Sequence, residues 1–326
     1  MDGRTELDLK FQHHIDEKLT IMPAFVDDYY HSIKDKSIKT INSYLAKDIK
    51  FFEFVQSNYG IDVNDPYEFA KIKASAIERF MNEAEGETSN KLTYLYAIKD
   101  LFRFLLKDEY IEKNPCDRIT APKNKKEVQR TELNEFDIHQ IRQNIKNCKV
   151  STNVMEQHKM YTRNILLFDM FITTGLRKSS IIALNYNDID FVNSQIRIVE
   201  KGNKVRYLPV NEQIIEEIYD YEELRNEILI DTNSNTDALF VSRLGKRMAV
   251  GTIDKFVYGV TGSIHKKMSP HKLRATCATL LIKKTGNIYL VADRLGHANV
   301  ETTKRYAHLD DEMREEAIKA MDDIIF

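Results

Sequence analysis

The sequence predicts a mainly α protein of two domains with a small antiparallel β-sheet in the second. Three observations carry this. Apolar residues recur at helical spacing before residue 118 and again after residue 131, a basic, proline-containing segment separates the two regions, and the only clear β pattern is a group of short segments between Ile189 and Val210. A chain of 326 residues has room for two separate cores.

Residues 1–22, which begin MDGRTELDLKFQHHIDEK, show no firm periodicity and read as an amino-terminal extension, a short arm or a loosely docked helix. They are acidic and polar where a secretory signal is basic and then apolar. Residues 23–118 read as a helical domain with helices over Pro23–Lys34, Ser37–Tyr59, Tyr67–Ala84 and Ser89–Tyr110. In the second, Ile38, Ile41, Tyr44, Leu45, Ile49, Phe52 and Val55 make one stripe; in the fourth, Leu92, Leu95, Ile98, Leu101, Phe102 and Leu105 make another. Asn114-Pro115 closes the domain. The stretch Arg118–Arg130, RITAPKNKKEVQR, carries five basic residues against one acid and reads as an extended linker over 119–130.

The second domain, 131–326, opens with Thr131 as a helix cap before LNEFDIHQIRQNI. An apolar helix over Asn164–Thr173 ends at Thr174-Gly175, and Arg177 opens a short helix running to Leu184. Three short strands follow, Ile189–Phe191, Gln195–Glu200 and Lys204–Val210, the last two joined at Lys201-Gly202-Asn203, so that Lys201 sits at a hairpin tip. Ser269 is the expected cap, and Pro270 the first residue, of a helix that carries His271 and Arg274 three positions apart and therefore on one face. Met313, Ala317, Met321, Ile324 and Ile325 form an apolar stripe near the carboxyl end.

Composition narrows the class. A chain that is 42% hydrophobic and 30% charged, with no apolar run long enough to span a bilayer, reads as a soluble, cytoplasmic protein. The formal charge of -2 argues against a wholly basic nucleic-acid binder, but phosphate contact depends on local patches. Cys116, Cys148 and Cys277 are far apart and without CxxC spacing, which suggests neither a disulfide framework nor a zinc site.

Each polar residue singled out has an ordinary reading when taken alone. Arg177 is then a surface arginine, Lys201 a hairpin lysine, His271 a core histidine, Arg274 a solvated arginine, His297 a helix-exit residue and Tyr306 one of sixteen tyrosines. Together they are two guanidinium groups, an ammonium, two imidazoles and a phenol, a set able to handle a phosphate ester. Their order, TTGLR, then KGNK in a hairpin, then HKLR, then LGHANVETTKRY, resembles the tyrosine recombinase (phage integrase) family, especially its Xer-like and transposon-encoded members. The resemblance covers nearly the whole chain: a helical core-binding domain, a basic linker and an α/β catalytic domain with a carboxyl-terminal helix.

The resemblance implies an active site of Arg177, Lys201, His271, Arg274 and His297, with Tyr306 as nucleophile. Physical chemistry suits each role. Planar guanidinium forks match the charged oxygens of a phosphoryl transition state, so Arg177 and Arg274 fit a clamp. A phenol with a pKa of about 10 needs a proton acceptor, for which His271 is the candidate. Lys201 fits the general acid for the departing 5′ hydroxyl, and His297 a hydrogen-bond donor that buttresses Tyr306. The implied reaction is DNA strand cleavage through a 3′-phosphotyrosyl link, with strand exchange through a Holliday junction. Bond energy stays in the covalent link, so no nucleotide cofactor is implied, nor any metal.

Implied partners are double-stranded recombination sites and other copies of the chain, as a tetramer joined through the carboxyl-terminal helix, with an accessory DNA-bending protein as a further candidate. Lys123, Lys125, Lys126 and Arg130 of the linker would contact the DNA backbone. The role expected is integration and excision of a mobile element or resolution of chromosome dimers. The sequence departs from the family at Ser180, where Glu is usual, and at Ala275, where His is common. A type IB topoisomerase shares the nucleophile and clamp, and a DNA-binding protein with a relic site is the rival from outside enzymes.

Overall fold

The computed structural model describes residues 3–84, 88–121, 132–147, 160–200 and 204–296. The chain divides into two compact units, Thr5–Val128 and Gln129–Phe326 together with Met1–Arg4.

The first unit is helical: α1 (Gly3–Leu19), α2 (Phe25–Ser32), α3 (Ile38–Tyr59), α4 (Pro66–Phe69), α5 (Ala74–Glu83) and α6 (Thr88–Lys107). Ile15 of α1 is fully buried in its core, so the opening residues contribute to packing. Helix α3 starts where Ser37 accepts the Thr40 N–H, and it ends on Gly60 in the left-handed region. Its stripe packs on α6, and Phe51, Phe69, Phe80 and Phe102 fill the space between helices, with the Phe69 and Phe102 rings stacked at 5.5 Å. The expected helix over Tyr67–Ala84 is two. Lys73 is extended and starts α5 afresh, yet Phe69, Ile72, Ala76 and Phe80 keep the inward spacing of one helix, so periodicity alone hides the break. Helix α6 stops at Lys107, short of the expected Tyr110, because Glu109 turns left-handed and the Tyr110 N–H reaches back to the Leu105 carbonyl.

The second unit comprises α7 (Glu135–Lys146), α8 (Tyr161–Thr174), α9 (Lys178–Ala183), β1 (Ile189–Asp190), β2 (Gln195–Val199), β3 (Val205–Pro209), α10 (Glu212–Asp231), α11 (Val250–Gly262), α12 (Pro270–Thr285) and α13 (Ile288–Leu295). Asn134, rather than Thr131, caps α7. Its side chain accepts the Asp137 N–H and Asp137 accepts the Asn134 N–H, a reciprocal capping box; Thr131 lies outside the described residues. Helix α8 is buried on nearly every side, by Leu166, Leu167, Phe168, Met170 and Phe171, because α7, α10 and α12 surround it. The three strands form an antiparallel sheet in the order β1-β2-β3, with Ile196 opposite Leu208 and Ile198 opposite Arg206. Ile196 and Ile198 point into the core at the two-residue spacing of a half-buried strand.

One charged cluster ties α7, α8 and α10 together. Arg142 lies 2.9 Å from Asp169 and 3.3 Å from Glu217, both nearly buried. Burial, then the hydrogen bond to Asp169 and that carboxylate's charge, push the Glu217 carboxyl up to about 8. Among the described residues, no helix is long and apolar enough to cross a membrane.

Candidate active site

The site is organised by two helix exits that meet. Helix α8 ends at Gly175, whose φ of +61° is left-handed and whose N–H returns to the Phe171 carbonyl. A Cβ placed there would lie 2.5 Å from Leu295 Cδ2 and 3.1 Å from Cys277 Sγ, so only glycine lets α12 and the end of α13 come this close. Two residues on, Arg177 is extended and exposed at the start of α9, and its side chain makes no capping bond. The chain holds the Arg177 Cα within about 7 Å of the Gly175 Cα.

Arg274 joins the two exits. It is 3% exposed; Nη1 donates to the Gly175 carbonyl at 2.7 Å and Nη2 to the Leu295 carbonyl at 2.8 Å. Two of its five N–H groups are thereby committed to backbone, which partners the buried cation and fixes the plane of its fork. His271, one turn earlier on the same helix face, is exposed at the rim while Arg274 is deep. Ser269 holds the cap position, but its side chain makes no capping bond. Pro270 brings no N–H, and the Lys272 N–H already takes the Ser269 carbonyl at 2.9 Å. Cys277, beneath Gly175, is buried, and burial pushes its thiol up to about 11, which makes it a packing residue rather than a nucleophile.

Two arginines that sequence reasoning missed complete the frame. Arg294 Nη1 donates to the Pro209 carbonyl at 2.6 Å and Nη2 to the Thr173 carbonyl at 3.0 Å, tying α13 to the end of β3 and to the last turn of α8. Burial holds its guanidinium below the usual arginine range. Arg206 of β3 pairs through Nε with Glu200 Oε1 at 3.2 Å, and its Nη1 reaches the Asp293 and Arg294 carbonyls at 3.1 and 3.2 Å. The partners are mostly backbone carbonyls, which no residue pattern announces.

The remaining predicted site residues, Lys201, His297 and Tyr306, lie outside the described residues, as do Lys123, Lys125, Lys126, Arg130, Cys148 and the terminal apolar stripe. The residues that precede the first two are described, and they touch. A Cβ on Gly296, just before His297, would lie 2.1 Å from the carboxylate of Glu200, just before Lys201. The exit of α13 and the root of the β2–β3 hairpin are therefore in contact. The structure bonds Arg274 to the residue two before Arg177 and to the residue just before Gly296, with His271 one turn earlier on its helix and the hairpin root against Gly296. At the two departures, Ser180 donates its N–H to the Arg177 carbonyl at 2.8 Å, and Ala275 packs with the apolar contact between α12 and α13.

Comparison with known proteins bears on this geometry. Residues 131–313 match the Phage integrase family. The chain is 27% identical over 297 residues to tyrosine recombinase XerD of Staphylococcus epidermidis (strain ATCC 12228 / FDA PCI 1200), covering 88% of this chain and 95% of that one. It is 30% identical over 220 residues to tyrosine recombinase XerC of Shewanella amazonensis (strain ATCC BAA-1098 / SB2B), covering 66% and 68%. Among solved structures, the XerH site-specific recombinase bound to its difH substrate before cleavage is similar at a TM-score of 0.63 and 26% identity, over 94% of this chain and 88% of that one. A family match across more than half of the sequence, over the segment where two helix exits and a hairpin root converge on a buried arginine, places the chain in the phage integrase family, as a tyrosine recombinase that carries out site-specific DNA recombination.

Proposed function

We propose that Tyr306 is the nucleophile and that Arg177, Arg274, His271, Lys201 and His297 serve it in distinct ways. Arg177 and Arg274 bind the non-bridging oxygens of the scissile phosphate. His271 takes the phenol proton as the tyrosine oxygen bonds to phosphorus. The bond from phosphorus to the 5′ oxygen breaks, and that oxygen leaves as a hydroxyl with a proton from Lys201. His297 donates a hydrogen bond to the phosphate. The 5′ hydroxyl of a second duplex then attacks the phosphotyrosine, and Tyr306 regains its proton.

The observation that supports this most is Arg274 bonded to both helix exits, with Arg177 two residues beyond one of them and His297 two residues after Leu295 in the sequence. Tyr306→Phe tests it. On a nicked suicide substrate the variant should bind DNA as the parent does and form no covalent adduct, and an adduct that survives would refute the assignment. A two-site recombination assay run beside plasmid relaxation separates strand exchange from topoisomerase-like resealing.

Residues 23–118 act as the core-binding domain, 131–326 as the catalytic domain, and the linker residues Lys123, Lys125, Lys126 and Arg130 neutralise backbone phosphates between them. Recombining two duplexes cuts four strands, and each Tyr306 holds one, so four copies act together. The docking surface for a neighbour is a groove of about 550 Å³ in the catalytic unit, lined by Ile138, Ile172, Leu280, Leu281 and Leu290 with Glu135 and Lys284 also at its walls. Its apolar lining suits the stripe Met313, Ala317, Met321, Ile324 and Ile325 from another copy.

A further inference from the structure

We propose that Arg206 is a positioning residue for strand cleavage, one that fixes the root of the β2–β3 hairpin against the exit of α13 and so sets where Lys201 stands relative to the phosphate. This rests on the reading of Lys201 as the proton donor.

Three observations converge on it. First, the hairpin closes at its root: the Glu200 N–H donates to the Lys204 carbonyl at 2.8 Å, which places the chain entering and leaving Lys201-Gly202-Asn203 side by side. Second, Arg206 holds that root from two directions, through Nε to the Glu200 carboxylate on one strand and through Nη1 to the Asp293 and Arg294 carbonyls in the last turn of α13. A single planar group thus links the residue before Lys201 to the turn before His297. Third, the Glu200 carboxylate and the Arg206 guanidinium lie directly against Gly296. The Cβ of any residue other than glycine at position 296 would overlap the Glu200 carboxylate, and Nη2 of Arg206 would stand 3.1 Å from it. That Nη2 is buried without a hydrogen-bond partner among the described residues, so the group is held by its other two nitrogens and by contact.

The arrangement is costly for a merely structural purpose. Arg206 sits opposite Ile198 in the ladder, where an apolar residue would extend the sheet's packing. A guanidinium that spans a carboxylate and two carbonyls supplies direction instead. Its five donors lie in one plane, so the hairpin root and the helix turn cannot rotate independently. Lysine at this position would answer one acceptor at a time.

The test separates proton donation from general damage by changing the leaving group. A substrate with sulfur in place of the bridging 5′ oxygen loses a thiolate, a far weaker base than an alkoxide, which departs without an acid. Arg206→Met, which keeps an unbranched stem and removes the donors, should cleave the ordinary suicide substrate about ten- to a hundredfold more slowly than the parent. Its affinity for a half-site should stay unchanged, and the sulfur substrate should be cleaved at the parental rate. Glu200→Gln should show a smaller deficit, restored in the same way. Parental rates on the ordinary substrate, or equal slowing on both substrates, would overturn the proposal. Lys201→Ala run alongside reports on the underlying reading. If sulfur restores Lys201→Ala but not Arg206→Met, Lys201 donates the proton and Arg206 does not place it. If sulfur fails to restore Lys201→Ala, Lys201 is not the donor, and the proposal falls with that reading.

Discussion

Replacing Gly175 by alanine should damage the active site in a way that its neighbour in kind, Gly286, does not. Both are left-handed caps at helix ends in the second unit, with φ of +61° and +62°. A Cβ at Gly286 meets nothing within 4 Å. Gly286→Ala therefore carries only the backbone cost of an L-residue in that region, about 1 kcal/mol once the stiffer unfolded chain is allowed for. At Gly175 the same Cβ stands 2.5 Å from Leu295 Cδ2, against the roughly 3.5–4.0 Å of an ordinary carbon contact, so Leu295, by its side chain or with the end of α13, must give by about 1 Å. Overpacking of that size adds about 1–3 kcal/mol. In a unit of this length, about 1 kcal/mol moves the midpoint by about 2–4 °C. Gly286→Ala should melt about 2–4 °C below the parent and Gly175→Ala about 4–16 °C below it. The displaced residue is the one whose carbonyl Arg274 holds. A misplacement of about 1 Å there should slow cleavage by up to about a hundredfold. Thermal melts of the full chain, with suicide-substrate cleavage measured below every midpoint, check both figures. Equal melting and equal cleavage in the two variants would show that the contact with Leu295 carries no weight.

Two further outcomes follow from other parts of the molecule. The Glu217 carboxyl, raised to about 8, keeps a proton that the unfolded chain gives up above its ordinary pKa of 4.5, so its contribution is complete below that value and is lost as pH rises toward 8. The urea midpoint should decline across that window, and Glu217→Gln, which does not titrate, should flatten the decline; parallel slopes would contradict the assignment. Ending the chain after Asp311 removes the terminal apolar stripe. Gel shifts should then show single half-sites bound nearly as before and cooperative assembly lost, whereas unchanged assembly would rule out docking through that segment.

Much of this architecture could be read from residue order because its signals are local. Gly175 after an apolar run, Arg177 two residues later and Pro270 opening the helix of His271 and Arg274 all announce themselves within a few positions. The hairpin strands were also legible, since Ile196 and Ile198 alternate with Gln195 and Arg197 and a Lys-Gly-Asn turn follows. Features that depend on distant partners were not. Arg206 and Arg294 look like surface arginines until their acceptors, the backbone carbonyls of Asp293, Arg294, Pro209 and Thr173, are known. The break before α5 preserves the apolar spacing, and the stop at Glu109 uses a left-handed residue that is not glycine. Thr131 and Asn134 both have the chemistry of a cap. Only Asn134 has an aspartate three residues ahead to close the box.

The junction held by Arg274 also sets the electrostatic problem that a phosphate must meet there. Proteins commonly bind phosphate at the amino-terminal ends of helices, where the macrodipole is positive. Here α8 and α13 present their carboxyl-terminal ends, each equivalent to about half a negative charge. Left alone, that junction would repel an anion. Arg274, Arg294 and Arg206 each donate to carbonyls at those ends, so part of their charge is spent in reversing the sign of the local potential before any DNA arrives. Loss of Arg274 does more than subtract two hydrogen bonds, because it leaves two negative helix termini side by side with less charge to oppose them.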